Sequence, residues 1–297
     1  MTLVSRLVNL ETSVTTSDDY WHGKGIHYRM HPANVACLTA AGIDCCVLAN
    51  NHVLDWGYGG LTETLKTLEH VKIKSTGAGQ NLGQAESPAV LQIKGKGRIL
   101  VFAFGSPTSG IPRRWAASRD SAGVNLLDGF SEDTVKRISA RVQSVKQPGD
   151  IVVLSIHWGS NWGYEIPTAQ QTFAHKLIDE AGVDVIHGHS SHHPRPVEVY
   201  KGKPVFYGCG DFLNDYEGIR GYDAYRADLV LMYFVSVEPV RGELVRLVLV
   251  PMRIRRFRLN SVSSEDASWQ SNTLDRVSKQ FGTRMEWRPP NRIKVSW

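Results

Sequence analysis

Cysteine is scarce in this sequence: Cys37, Cys45, Cys46 and Cys209 are the four present in 297 residues. None has the C-x-x-C spacing of a zinc ribbon or a thioredoxin-type redox motif. Cys45 and Cys46 sit in the apolar run 43–49. Buried free thiols are therefore expected rather than a disulfide framework, and with them a cytoplasmic location. No apolar stretch reaches the roughly 18 residues of a membrane span. The opening Met-Thr-Leu-Val-Ser-Arg has no signal-peptide core. Three glycine signatures are missing as well. Without G-x-G-x-x-G, a P-loop or G-x-S-x-G, a dinucleotide site, an NTPase and an α/β-hydrolase are disfavoured. Gly208-Cys209-Gly210 is too short to cradle a phosphate. Repeats and low-complexity tracts are absent. Acidic residues are slightly outnumbered, giving a net charge of +5. Much of the excess lies in Arg253, Arg255, Arg256 and Arg258. No aromatic residues interleave with basic ones in a nucleic-acid pattern, so a solvated basic face is expected and nucleic acid is not an expected partner.

What is present is a series of short apolar runs, each followed by a polar loop. Pro32 opens a helix to about residue 41, and Gly42 stops it. A buried strand over 43–49 ends at Asn50-Asn51-His52. Leu61, Leu65 and Leu68 recur at helical spacing after Gly57. Residues 90–93 and 99–104 bracket Gly95 and Gly97 and read as a hairpin. The polar loop 106–125 is long enough to be functional. Ser131 caps a helix to about 145, with Glu132 and Asp133 in its first turn. A strand over 151–156 ends at His157. Thr168 caps a helix over 169–181, and a strand follows over 183–186. A second hairpin covers 197–200 and 204–207. Long strands are expected over 229–237 and 244–250, a helix from about 261, and a last strand over 292–295. Strand-helix units followed by antiparallel strands predict an α/β fold of two mixed sheets face to face with helices outside. One main domain is expected over 1–260, with a helix-and-strand extension over 261–297 packed on it.

Histidines concentrate the chemistry. They fall in Ala-Asn-Asn-His at 49–52, Ser-Ile-His-Trp-Gly at 155–159 and His-Gly-His-Ser-Ser-His-His at 187–193. Each segment follows a β-prone run, and an α/β fold gathers its chemistry at strand ends. Three such loops meeting would supply imidazoles and an amide oxygen, donors suited to zinc, iron or manganese. His189 and His192, three apart, are the better pair of the last cluster, because His187 ends the strand and His193 abuts Pro194. Asp55 lies three residues beyond His52 and is placed to orient it. His157 fits either a metal ligand or a hydrogen-bonded structural residue. Asn51 fits either a metal ligand or a turn. Glu11 follows the strand-like Val8-Asn9-Leu10 and is either a bridging carboxylate or a solvated one. Trp158, Trp162 and Tyr164 suit a pocket wall or plain core packing. Asp211 is either a pocket residue or a turn aspartate.

Taken in order, Asn9-Leu10-Glu11, Ala49-Asn50-Asn51-His52-Val53-Leu54-Asp55-Trp56-Gly57, Gly77-Ala78-Gly79, His157-Trp158-Gly159, Gly188-His189-Ser190-Ser191-His192 and 205–212 resemble the bacterial capsule synthesis family (poly-gamma-glutamate synthesis, CapA-type). The likeness spans roughly 7–215. That family is similar to the calcineurin-like metallophosphoesterases. The resemblance implies a four-layer αββα sandwich with one or two divalent ions (manganese, iron or zinc) at the strand ends. It implies Glu11, Asn51, His157, His189 and His192 as metal ligands, His52 as proton donor assisted by Asp55, and Arg29, Trp158 and Tyr164 toward an anionic small-molecule or polymer substrate. The family's opening Gly-Asp motif has no counterpart before Asn9, and the expected sandwich lacks its first strand. Ser190 and Ser191 replace the central residues of the last histidine motif, and Asp211 stands where Asn is usual. Two functions are therefore expected: a metal-dependent hydrolase of phosphoester-like or related bonds, or a non-catalytic capsule or polymer accessory protein with an incomplete metal site. The sequence sets no oligomeric state.

Overall fold

A computed structural model describes residues 5–216, 219 and 221–297. The first four residues, which open the segment read as neither leader nor span, lie outside the described residues. The chain divides into two compact units, 1–158 and 159–297. The class is mixed α/β.

Unit 1 begins with β1 (Leu7–Asn9), β2 (Ser13–Val14), β3 (Arg29–Met30), α1 (Ala36–Ala40), β4 (Cys45–Val47), α2 (Gly57–His70) and β5 (Lys74–Thr76). It continues through β6 (Ala78–Gly79), α3 (Leu82–Ala85), β7 (Ala89–Ile93), β8 (Gly97–Gly105), β9 (Gly123–Val124), α4 (Glu132–Gln143) and β10 (Ile151–His157). The expected helix from Pro32 to about 41 is cut in two. A 3-10 turn covers Pro32–Val35, capped by His31, and only α1 is α-helical. The expected strand 43–49 shortens to β4, which pairs in parallel with β1 and β5. Both thiols of β4 are fully buried, as expected. Burial pushes the Cys46 thiol up to about 12. The hairpin β7–β8 forms, and β8 also pairs in parallel with β10 from Ile151↔Ile99 to His157↔Gly105.

α2 keeps the periodicity read from the sequence. Leu61 and Leu68 are fully buried, and Thr64 Oγ1 accepts the Val14 amide at 2.8 Å, tying β2 to the helix. The core gathers around Leu48, Leu54, Leu61, Leu68 and Trp115, all with no exposed surface. The long polar loop is not bare. It holds two 3-10 turns, Pro107–Ser109 and Arg113–Trp115, and β9, which pairs with β6. The α4 cap is as expected: Ser131 Oγ accepts the Thr134 amide at 3.2 Å.

Unit 2 contains α5 (Thr168–Ala181), β11 (Val185–His189), β12 (Val197–Tyr200), β13 (Lys203–Phe206), β14 (Leu229–Val237), β15 (Leu244–Arg255), β16 (Arg258–Ser261), α6 (Ser264–Ser278), β17 (Arg284–Arg288) and β18 (Arg292–Ser296). β13 pairs in parallel with β11 and antiparallel with β12. β14, β15, β18 and β17 form an antiparallel sheet in that order, with β16 on β15. Thr168 is not the cap of α5. Pro167 occupies that position and offers no side-chain bond, since proline fits the helix start through its fixed φ. β17, unforeseen in the sequence, forms a hairpin with β18. Ser263 caps α6 by accepting the Asp266 amide at 3.0 Å. Ser278 Oγ, at the other end of α6, accepts the Val197 amide at 3.0 Å and fastens the helix to β12. Among the described residues, no helix is long and apolar enough to cross a membrane.

Candidate functional site

In unit 1 the parallel pairing of β1 with β4 brings two loops to the same strand ends. Glu11 follows the first strand and Asn50-Asn51-His52 the second. Asn50, fully buried, stitches them together. Its Nδ2 donates to Asn9 Oδ1 at 3.0 Å and Leu10 O at 2.9 Å, while its Oδ1 accepts the His52 amide at 3.1 Å. Asn9 Nδ2 in turn donates to Glu11 Oε2 at 2.8 Å. His157, the last residue of β10 and 1% exposed, places Nε2 3.8 Å from Glu11 Oε1. The structure thus brings Glu11 and His157 together, as their assignment to one site requires.

His52 and Asp55 form a short, buried polar contact in this region. His52 Nδ1 lies 2.6 Å from Asp55 Oδ2, and both side chains are buried. Asp55 also accepts the Tyr28 amide at 2.7 Å. A carboxylate on Nδ1 fixes the imidazole so that Nε2 is the nitrogen left for chemistry. The Tyr28 ring rests on His52 with centroids 4.1 Å apart. A third charged group, absent from the sequence reading, joins them. Lys24 Nζ donates to Asp55 Oδ1 and to Asn51 O, and sits 3.0 Å from His52 Nδ1. Burial holds the Lys24 ammonium below its usual pKa, against the pull of Asp55. No local signal marks Lys24, which lies in an aperiodic loop. The side-chain oxygen of Asn51 is buried and has no hydrogen-bond partner among the described residues.

Arg29 donates to Asp18 Oδ1 at 2.7 Å, and Asp18 is almost fully exposed. Its guanidinium stacks 4.2 Å from the Trp56 ring. Trp158 is 1% exposed and packs edge-on to Phe130, the arrangement of a core residue.

In unit 2, His189 ends β11 and is 4% exposed. His187, two residues earlier, lies 5.3 Å from it between ring centroids, and burial lowers the His187 imidazole to about 4. The turn to His192 is strained, with Ser190 at φ 108°. Ser191 Oγ donates to His193 O at 2.9 Å, and the His192 amide donates to Asn161 O at 3.1 Å. His192 Nδ1 faces Asp211, 3.1 Å from Oδ1 and 3.2 Å from Oδ2. Asp211 is therefore more than a turn aspartate. It also accepts Asn214 Nδ2 at 3.0 Å and the Tyr216 hydroxyl at 2.8 Å. His193 is different in kind. Its ring is buried between Trp162 and Tyr225, and Nδ1 donates to Pro194 O at 3.0 Å. Tyr164 packs edge-on to His193, and burial pushes its phenol up to about 12. Trp162 stacks on Tyr222 with centroids 4.1 Å apart.

Both His52 and His192 thus have a carboxylate on Nδ1, one in each unit. Among the described residues, no group of three or more His, Cys, Asp or Glu side chains is placed to hold a metal ion.

Residues 5–216 match the family described as bacterial capsule synthesis protein PGA_cap. A probable polyglutamine synthesis accessory protein of Mycobacterium tuberculosis is 46% identical over 290 residues, covering 97% of this chain and 76% of the relative. The PGA biosynthesis protein CapA of Bacillus subtilis is 30% identical over 217 residues, covering 73% of this chain and 54% of the relative. The capsule biosynthesis protein CapA of Bacillus anthracis is 28% identical over 201 residues, covering 68% and 47%.

Proposed function

Because this chain belongs to the bacterial capsule synthesis family PGA_cap, we propose that it serves the making of an anionic capsule polymer as a metal-assisted hydrolase of phosphoester-like or related bonds. The observation that carries the proposal is the buried His52–Asp55 pair at 2.6 Å. A histidine that merely packs does not need its Nδ1 clamped by a carboxylate. A proton-transfer site does, because the clamp leaves Nε2 oriented toward a leaving group.

The donors of unit 1 fit a divalent ion. Asn51 Oδ1 is a buried oxygen with no partner among the described residues, and Glu11 and His157 approach within 3.8 Å. Glu11, Asn51 and His157 are the proposed ligands of unit 1, and His189 and His192 those of unit 2. The chemistry a divalent ion supplies is polarisation of the scissile bond and a lowered pKa of water. The protein's own residues do the rest. Asp55 orients His52, His52 Nε2 gives up its proton, Lys24 balances the Asp55 charge, and Asp211 holds His192 by Nδ1. The four-layer αββα sandwich belongs to the same proposal.

Hydrolysis of a generic phosphodiester with added manganese tests this reading. His52→Ala is expected to lower kcat by about 10²–10⁴. Equal rates in wild type and variant would remove His52 from its role. A second reading, a non-catalytic accessory protein, is favoured by the lack of a three-ligand cluster among the described residues. Restoration of polymer synthesis in a deletion strain by His52→Ala would select it.

A further inference from the structure

The sheet β14-β15-β18-β17 has two unlike faces. Leu247, Leu249, Met285, Ile293 and Val295 are buried on one, and α6 packs against β17. The other is cationic over its β15-β18-β17 part, while Val230 and Ile254 on its β14-β15 side are buried. Directly paired residues project from the same face. One such row is Phe234, Val248, Lys294 and Glu286, running across all four strands. By period-two alternation Arg246 shares the face with Val248, and Arg292 with Lys294.

Three features separate this face from an ordinary solvated one. Arg246, Arg292 and Lys294 are exposed, and among the described residues their side chains have no ion pair or hydrogen bond. Arg292 stands directly opposite Arg288 across the β17–β18 ladder. Like charges in that relation destabilise a sheet, and Glu286, 2.6 Å from Arg288, answers only one of them. Finally, the cations surround an apolar floor. A shallow groove of about 710 Å³ is lined by Arg246, Val248, Arg288, Arg292, Lys294 and Trp297. Val248 is 8% exposed and Trp297 48%.

We propose that this face binds an anionic polypeptide, an extended chain carrying carboxylates on methylene stems. Arg292 and Lys294, two residues apart on one strand, lie roughly 6.6–6.8 Å apart along it, the repeat of alternate side chains in an extended peptide. Guanidinium forks suit carboxylates. Val248 and the Trp297 ring suit the stems. An α-linked acidic polypeptide has this spacing, so the occupant is read from the surface alone; hydrolysis and the linkage of a capsule polymer play no part in it.

The test is fluorescence anisotropy of labelled oligoglutamate with the full chain. Wild type is compared with the triple variant Arg246→Gln, Arg292→Gln, Lys294→Gln, whose fold is checked by circular dichroism. Saturable binding is expected at low salt, about tenfold or more weaker in the variant and weakened by added salt. Absence of saturable binding, or equal affinity in the variant, would overturn the proposal. So would equal, variant-sensitive binding of duplex DNA or anionic vesicles, which would make the face a general polyanion surface. A wild type that hydrolyses nothing leaves this assay intact, so the two readings fail separately.

Discussion

Asp55→Ala is the sharpest perturbation of the polar knot in unit 1. The Asp55 side chain has no exposed surface, and it accepts from His52 Nδ1, the Tyr28 amide and Lys24 Nζ. Removing it strands a Lys24 ammonium whose side chain is 17% exposed. Breaking a buried ion pair from one side costs about 3–5 kcal/mol. Lys24 has an escape, because it can shed its proton. For a lysine with a reference pKa near 10.4, doing so at pH 7 costs about 4.6 kcal/mol, which caps the charge penalty. The loss is therefore expected at about 3–5 kcal/mol in urea unfolding followed by tryptophan fluorescence. The double variant Lys24→Met, Asp55→Ala removes the stranded charge and is expected to recover at least about 2 kcal/mol of that loss. A single variant within about 1 kcal/mol of wild type would refute the reasoning. So would a double variant no more stable than the single.

Other expected outcomes follow from separate elements. The Arg98 guanidinium holds the Asp150 carboxyl below the usual carboxylate range. A depressed folded pKa stabilises above the unfolded value, about 3.9, and that stability fades as pH falls through the folded value. The stability gap between wild type and Asp150→Asn should therefore be constant above about pH 5 and shrink below about pH 4; a gap that widens in acid would contradict the pairing. Ser131→Ala removes the acceptor of the Thr134 amide at the start of α4. It should cost about 1 kcal/mol in the same unfolding assay. Gly77 has φ 94°, and a Cβ there would sit 2.7 Å from Ala103 Cβ and 2.8 Å from Ala49 Cβ. Gly77→Ala should destabilise by about 1–3 kcal/mol, and a neutral result would show that the backbone around Ala49 and Ala103 can give way.

The elements visible in the sequence were those whose cause is local. α2 is announced by Leu61 and Leu68, β10 by an unbroken apolar run, α4 by the Ser131 cap, and the β7–β8 hairpin by the glycines between its arms. The failures have longer-range causes. Thr168 resembles a cap, yet Pro167 already sets the entry angle of α5. β17 alternates Arg284, Met285, Glu286, Trp287 and Arg288, a period-two signal diluted by its three charges. In the site, His52 with Asp55 was legible because the two lie three residues apart on one loop. Lys24 was not, since its meaning comes from Asp55, 31 residues away. Asp211 reads equally as a pocket residue or a turn aspartate, because its partner His192 lies 19 residues before it.

The central claim, that these histidines and Asn51 serve a metal, is tested most directly by counting ions. Inductively coupled plasma mass spectrometry would compare wild type, Asn51→Leu and the His189→Ala, His192→Ala double variant, each purified from manganese-supplemented cells. One or two divalent ions per wild-type chain, with a lower content in each variant, is the predicted result. Metal-free wild type, or the same content in all three proteins, would contradict it.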